Sequence, residues 1–369
     1  MTLSRRKMLS LIGGGVVLSA AAGIGAFAAT RTPHAALAPW DRAGGYTDPR
    51  LNALSWALLA PNPHNLQPWQ AELVGTDGVR IWREAGRILH HTDPYERQIT
   101  IGMGCFLELM VLAAGAAGQA VDLTLYPQGP EGPVAEAVFR AGGATGDPLF
   151  RHALGRRSCK APFEDRPIPA EALAALAPLA CTITDPALVA RLRALTWDAW
   201  VIEAETPRTW NESVELTRVG RREIEARPDG IDLGGAFIEA VNLFGLASQE
   251  AQRDPTSFAY RSTMDMYRAM LAATPAYAVL TTAGNSRTDQ IAAGRQWLRL
   301  NLTTTALGLA LHPVSQALQE YPEMAGPYAR AHDLLAGPGE TVQMLGRLGY
   351  GPTVPRTPRW PLEARMRNA

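Results

Sequence analysis

Apolar residues recur at helical spacing over 49–59, and Asp48 before Pro49 supplies both an oxygen acceptor and a preset φ at the start of a helix. Beyond it, 69–74 and 79–83 alternate apolar and polar side chains around Thr76-Asp77-Gly78, the pattern of a β-hairpin. Residues 99–121 are apolar almost throughout, rich in Gly and Ala, and interrupted by Glu108 and Gln119. A carboxylate in mid-span argues against a membrane crossing, so the stretch reads as a central buried helix that a second helix can approach closely. Strands follow at 121–126 and 134–140, then a short helix at 148–154. Helices are predicted at 170–179, 186–206, 212–226, 233–249 and 258–273, a strand at 277–282, and a second long helix at 290–311. The Pro- and Gly-rich stretches 31–46 and 345–361 read as loops.

The two long helices close alike, in Ala116-Ala117-Gly118-Gln119-Ala120-Val121 and in Ala306-Leu307-Gly308-Leu309-Ala310-Leu311. Each follows a strand and leads into a Pro-containing segment. A repeat of this length predicts two fused copies of one α+β domain, 30–147 and 148–369. The second copy carries a helical insertion at 186–274. Its Phe237, Phe244, Phe258, Tyr260, Met264 and Tyr267 have the spacing of core aromatics, or of a lid over a ligand.

Composition narrows the class. Of 369 residues 47% are hydrophobic and 19% charged, with a formal net charge of zero, so a sizeable core is affordable and nucleic acid is a poor partner. The start is a targeting segment (1–29): Ser4-Arg5-Arg6-Lys7 precedes a mildly apolar run over 11–27 that ends at Ala26-Phe27-Ala28. It resembles a bacterial twin-arginine export signal, which implies the export machinery as a partner and a periplasmic location. The same run is nearly long enough to remain as a membrane anchor. Cys105, Cys159 and Cys181 form no C-x-x-C pair and give no disulfide framework. The neighbours His90 and His91 would point to opposite faces of a strand, so no metal site is expected there.

Two stretches carry chemistry. Arg156-Arg157-Ser158-Cys159-Lys160 gathers flat guanidinium forks, a hydroxyl and an ammonium, donors suited to phosphate oxygens or, equally, to the end of a helix. Ala60-Pro61-Asn62-Pro63-His64-Asn65-Leu66-Gln67-Pro68-Trp69 follows the helix at 49–59. Together they resemble the elements of the flavin-dependent nitroreductase superfamily, an R-R/H-S-x-R/K phosphate grip and a P-S-x-x-N-x-Q-P-W turn. The resemblance implies a nitroreductase-like α+β fold and an FMN cofactor. It implies phosphate contacts from Arg156, Arg157, Ser158 and Lys160, and ring-side contacts from Pro61, Asn62, Pro63, Asn65 and Gln67. It extends to Pro313, Val314 and Ser315, with a backbone N–H near Ser315 aimed at flavin N5, and to Arg356 and Arg359 returning to the phosphate. His312 is more ordinary as a structural histidine than as a flavin contact.

The order of the two elements is reversed from the family's, and each half keeps only one of them. In a fused pseudodimer built around the long central helices, the two leftovers make one composite site, hence one FMN per monomeric chain. The implied activity passes electrons through flavin N5 to a small acceptor such as a nitroaromatic or quinone. NAD(P)H would be a transient donor, and no dedicated acid–base residue is required. The alternative is a flavin-sequestering storage protein with little turnover, because reduced nicotinamide is scarce outside the cytoplasm.

Overall fold

The computed structural model describes residues 30–367; the targeting segment predicted over 1–29 lies outside them. The chain opens with helix α1 (His34–Arg42) and α2 (Pro49–Ala57), the latter capped as expected by Asp48, whose carboxylate accepts from the Arg50 amide. Strands β1 (Trp69–Val74) and β2 (Gly78–Arg83) form the hairpin. Helix α3 (Arg97–Ala116), β3 (Gln119–Leu125) and β4 (Ala135–Ala141) complete an antiparallel sheet of order β1-β2-β4-β3.

Helix α4 (Ala170–Leu176) leads to β5 (Cys181–Ile183). Between β5 and the next strand of its sheet lie α5 (Pro186–Glu205), α6 (Pro207–Glu215), β6 (Thr217–Val219), α7 (Gly220–Ala226) and β7 (Ile231–Leu233). Helices α8 (Ala236–Asn242), α9 (Gln249–Arg253) and α10 (Phe258–Ala272) finish this insertion. Strand β8 (Ala276–Thr282), helix α11 (Arg287–Ala306), β9 (Ala310–Pro313), α12 (Ala325–Leu335) and β10 (Thr341–Gly349) follow. The second sheet runs β5-β8-β10-β9. Strand for strand this is the order of the first sheet, with α11 where the first has α3. Both long helices stop at a glycine of positive φ, Gly118 (73°) and Gly308 (69°), and pass directly into the next strand. Those are the two closing stretches that match in sequence. The class read from the pattern, α+β, is the class observed.

The long helices cross where their glycines meet. A Cβ on Gly104 would lie 2.3 Å from the Ile291 carbonyl oxygen, and one on Gly294 would lie 2.0 Å from that of Ile101. The Cys105 thiol donates to the Gly294 carbonyl at 3.1 Å. Helix α3 is long and apolar enough to cross a membrane, yet its sides are buried between the sheets and α11. Its one carboxylate, Glu108, accepts from Arg295 and Arg299 of α11 at 2.7 Å each, so the buried charge is answered across the helix pair.

Several segments differ from the pattern reading: the helix predicted over 233–249 is helical over Ala236–Asn242 only, and that predicted over 290–311 gives way to β9 at Ala310. The loop 31–46 contains α1, held because Trp40 is buried and its Nε1 donates to the Thr357 carbonyl at 2.8 Å. The helix predicted over 212–226 breaks at Gly220 (φ 76°), where β6 turns to pair in parallel with β7. Of the loop predicted over 345–361, residues 345–349 are instead the end of the inner strand β10. Its glycines, which suggested a loop, let neighbours approach: a Cβ on Gly346 would meet Trp297 at 2.5 Å, and one on Gly349 would meet Pro275 at 2.6 Å.

Candidate functional site

The C-terminal end of α2 leaves carbonyls without helical partners, and two distant arginines satisfy them. Arg359 donates Nε to the Leu58 carbonyl at 2.8 Å and Nη2 to that of Ala60 at 3.2 Å. Arg156 gives Nη2 to the Leu59 carbonyl and Nη1 to Asn301 Oδ1, both at 3.0 Å. Both guanidinium groups are buried, and burial, added to by neighbouring arginines, brings Arg156 down to about 10 and Arg359 to about 9. They stay charged at neutral pH.

Beyond this helix end the chain makes the turn 61–67, in which His64 (φ 48°), Asn65 (φ 52°) and Gln67 (φ 53°) adopt left-handed backbone. Each such residue costs on the order of 1 kcal/mol and persists only where the surroundings over-determine it. They do so here. The Gln67 amide donates to Asn62 Oδ1 at 2.7 Å, and its side chain accepts from the Trp360 amide at 2.9 Å and donates to the Pro228 carbonyl at 2.7 Å. Arg359 Nη1 donates to Asn65 Oδ1 at 2.6 Å, and Asn65 Nδ2 returns a bond to the Pro358 carbonyl at 3.1 Å. A Cβ on Gly102 would sit 3.1 Å from both Asn62 and Pro63, so the turn leans on α3. Asp229 ties tail and insertion to the same place, accepting from Arg87 at 2.7 Å, Arg218 at 2.8 Å and Trp360 at 2.9 Å.

The remaining cations surround one ring. Arg157, Arg356 and Arg359 lie 4.9, 5.4 and 5.6 Å from the Trp40 centroid. Arg157 donates Nε to the Val354 carbonyl at 3.2 Å and Nη1 to those of Leu154 and Arg156. Burial, then the charge of Arg356, holds it below its usual value. Asp41, mostly exposed, pairs with Arg356 at 2.8 Å. Ser158 is exposed beside them.

Lys160 is exposed, and charged or polar groups from three parts of the chain act on it. Tyr267 of α10, then Asp232 of β7 and Glu203 of α5, raise its pKa against the cost of burial. Burial, then the Lys160 charge, pushes the His64 imidazole down to about 4. His312 is held well below its usual range by burial, Arg347 and Lys160. Two neutral histidines, His64 and His312, therefore stand in the field of one ammonium. His64 Nδ1 and Trp69 Nε1 are buried with no protein partner among the described residues.

Alongside, the Val314 amide is committed to the Leu345 carbonyl at 2.9 Å, whereas the Ser315 amide donates to no protein acceptor among the described residues. Pro313 ends β9 just before it. Glu203, near this turn, accepts from Gln319 Nε2 at 2.8 Å, and burial pushes its carboxyl up to about 7 despite that bond and those from Ser213 and Gln316.

Thus the structure brings the turn 61–67, the segment 156–160, residues 313–315 and the tail arginines into one neighbourhood. It gives Arg156 and Arg359 carbonyl partners where the resemblance implied phosphate. It also adds Glu203 and Asp232, which sequence reasoning missed, and brings in His64 of the turn and Tyr267 of the insertion. Single ionisable residues in helical or turn patterns carry no signal until the fold collects them. The residues fit a flavin mononucleotide: a cationic group countered by one exposed carboxylate suits a phosphate, and an unspent amide suits a ring edge.

No family profile matches the sequence. Over 81 residues it is 31% identical to the protein of Mycobacterium tuberculosis (strain H37Rv) provisionally named NAD(P)H nitroreductase acg, and equally to that of strain CDC 1551 / Oshkosh. The match takes in 22% of this chain and 24% of those relatives, so it spans about a quarter of their length. Among solved structures, NfnB of Mycobacterium smegmatis, an FMN-dependent nitroreductase in complex with NADPH, is 20% identical over 58% of this chain and 95% of its own, with a TM-score of 0.36. A nitroreductase from Bacteroides fragilis with bound FMN is 11% identical over 56% and 89%, with a TM-score of 0.32.

Proposed function

We propose that this chain is an FMN-dependent oxidoreductase of the nitroreductase type, passing electrons to a small electrophilic acceptor such as a nitroaromatic or quinone. The observation that carries the reading is the approach of the over-determined turn 61–67 to the Arg156–Lys160 segment, through Arg156 on the Leu59 carbonyl and Lys160 acting on His64. FMN, when bound, supplies reversible two-electron chemistry at its ring. Arg157 and Arg356, with Ser158 and Lys160, offer charge and donors to its phosphate. Arg156 and Arg359 act behind them by pinning the end of α2, which positions Pro61, Asn62, Pro63, Asn65 and Gln67. The unspent Ser315 amide offers a donor to the ring edge, with Pro313 and Val314 shaping that wall. The two like sheets around α3 and α11 support a fused pseudodimer with one composite site. NAD(P)H would serve as a transient donor, and the targeting segment supports export to the bacterial periplasm.

Storage of flavin is the second reading, favoured by Asp232 and Tyr267 of the insertion, which already face Lys160. Two measurements decide. An absorbance spectrum of the purified chain, reconstituted with FMN, should give one flavin per polypeptide; two would remove the composite site, and none would remove the cofactor. Reduction by NAD(P)H or dithionite followed by reoxidation with a nitroaromatic or quinone means an enzyme, and flavin that stays inert means a store.

A further inference from the structure

Large apolar side chains are exposed together on one short segment: Phe237 (70%), Leu243 (78%), Phe244 (81%) and Leu246 (45%) on and just after α8. Scattered exposed apolar residues are ordinary, but four within ten positions form a patch. The segment is a built knuckle. The Leu246 amide donates to the Val241 carbonyl and the Gly245 amide to that of Asn242, with Gly245 at φ 71°, the hydrogen-bonded helix end that needs glycine. The inner side of α8 is committed to protein, since Glu239 accepts from the Arg221 amide at 2.8 Å. Helix α7 packs on α8 and carries Arg222, with Arg227 just past its end; both are exposed and paired with no carboxylate among the described residues.

The first described residues are fastened at the same place. Arg31 forms an ion pair with Glu239 at 3.0 Å, and Arg221 Nη1 donates to the Thr30 carbonyl at 2.9 Å. The apolar run 11–27 ends three residues before Thr30, a reach of about 10 Å. Any bilayer that receives that run is therefore brought against α8.

We propose that the α8 knuckle is a membrane-docking surface. Phe237, Leu243, Phe244 and Leu246 enter the headgroup–acyl boundary, and Arg222 and Arg227 meet anionic lipid headgroups, the apolar-plus-basic arrangement that interfacial helices use. This is independent of any flavin. The occupant is lipid in preference to a second copy, because two unpaired cations lie on and just after the helix packed against α8 and the apolar run leads to it.

The test uses the full chain with Leu243→Cys in a Cys181→Ser background, which removes the exposed native thiol and keeps the two buried ones. The new cysteine carries an environment-sensitive NBD dye, and the chain is mixed with vesicles of phosphatidylethanolamine and phosphatidylglycerol. The expected result is a several-fold rise in emission and quenching by doxyl-labelled lipids, both weakened by Arg222→Glu with Arg227→Glu. Val138→Cys on β4, labelled alike, should stay aqueous. Emission at 243 that does not change while the chain floats with the vesicles overturns the proposal. So does a dye already shielded before vesicles are added, which means that a second copy or the chain's own N-terminal run covers the patch.

Discussion

Arg359 holds Asn65 by a 2.6 Å bond from Nη1 to Oδ1 while its Nε caps Leu58 at 2.8 Å, so a residue of the C-terminal tail locks a turn that begins almost three hundred positions earlier. The sequence resemblance implied a phosphate ligand at this arginine. The structure makes it the brace of the ring-side turn.

Removing that brace leaves buried carbonyls and an amide side chain unsatisfied at once. Arg359→Ala should lose about 3 kcal/mol of stability in urea unfolding, since bonds from a charged donor are worth roughly 1.5–3 kcal/mol each and their partners stay buried. A loss indistinguishable from zero would mean that the turn holds itself.

Arg157 has a different task. Arg157→Ala should weaken FMN retention at least tenfold, about 1.4 kcal/mol, in a spectral titration, with unfolding nearly unchanged. Asn65→Ala should weaken it less. Equal retention in wild type and the arginine variant removes Arg157 from the phosphate site.

Glu203 links stability to pH. Its folded value of about 7 lies above the ordinary carboxyl value, so the native state binds the extra proton between the two. The stabilisation is fully present below the unfolded pKa and is lost as pH rises through about 7. Glu203→Gln, uncharged throughout, should therefore flatten the fall in stability between pH 5 and 8, an effect on the order of 2 kcal/mol at the alkaline end. Parallel profiles for both proteins, measured by urea unfolding across that range, would show that Glu203 titrates normally.

The crossing of the long helices leaves no room for a methyl group. Gly294→Ala would place a carbon 2.0 Å from the Ile101 carbonyl oxygen, a backbone atom that cannot swing aside. It should cost about 2 kcal/mol or more, whereas Gly143→Ala, in open space but at φ 80°, should cost only about 1 kcal/mol. Equal losses on thermal unfolding would contradict the close crossing.

Local pattern was enough for those elements whose signals lie within a few residues. The hairpin around Thr76-Asp77-Gly78, the buried helix α3, the capped start of α2 and the matching ends of the two long helices are all readable along the chain, because spacing, caps and turn residues act locally. The same holds for the turn at 61–67 and the cationic run at 156–160 as candidate chemistry. What spacing cannot express is which distant group meets which. Strand β10 was hidden because Gly346 and Gly349 serve Trp297 and Pro275, and the break at Gly220 exists only because β6 finds β7. The roles of the arginines divided for the same reason: Arg156 and Arg359 fold onto the carbonyls of α2, while Arg157 and Arg356 remain around Trp40. A guanidinium has the same donors in either role, and only the tertiary arrangement, by burying two of them against unsatisfied oxygens, decides which one it plays.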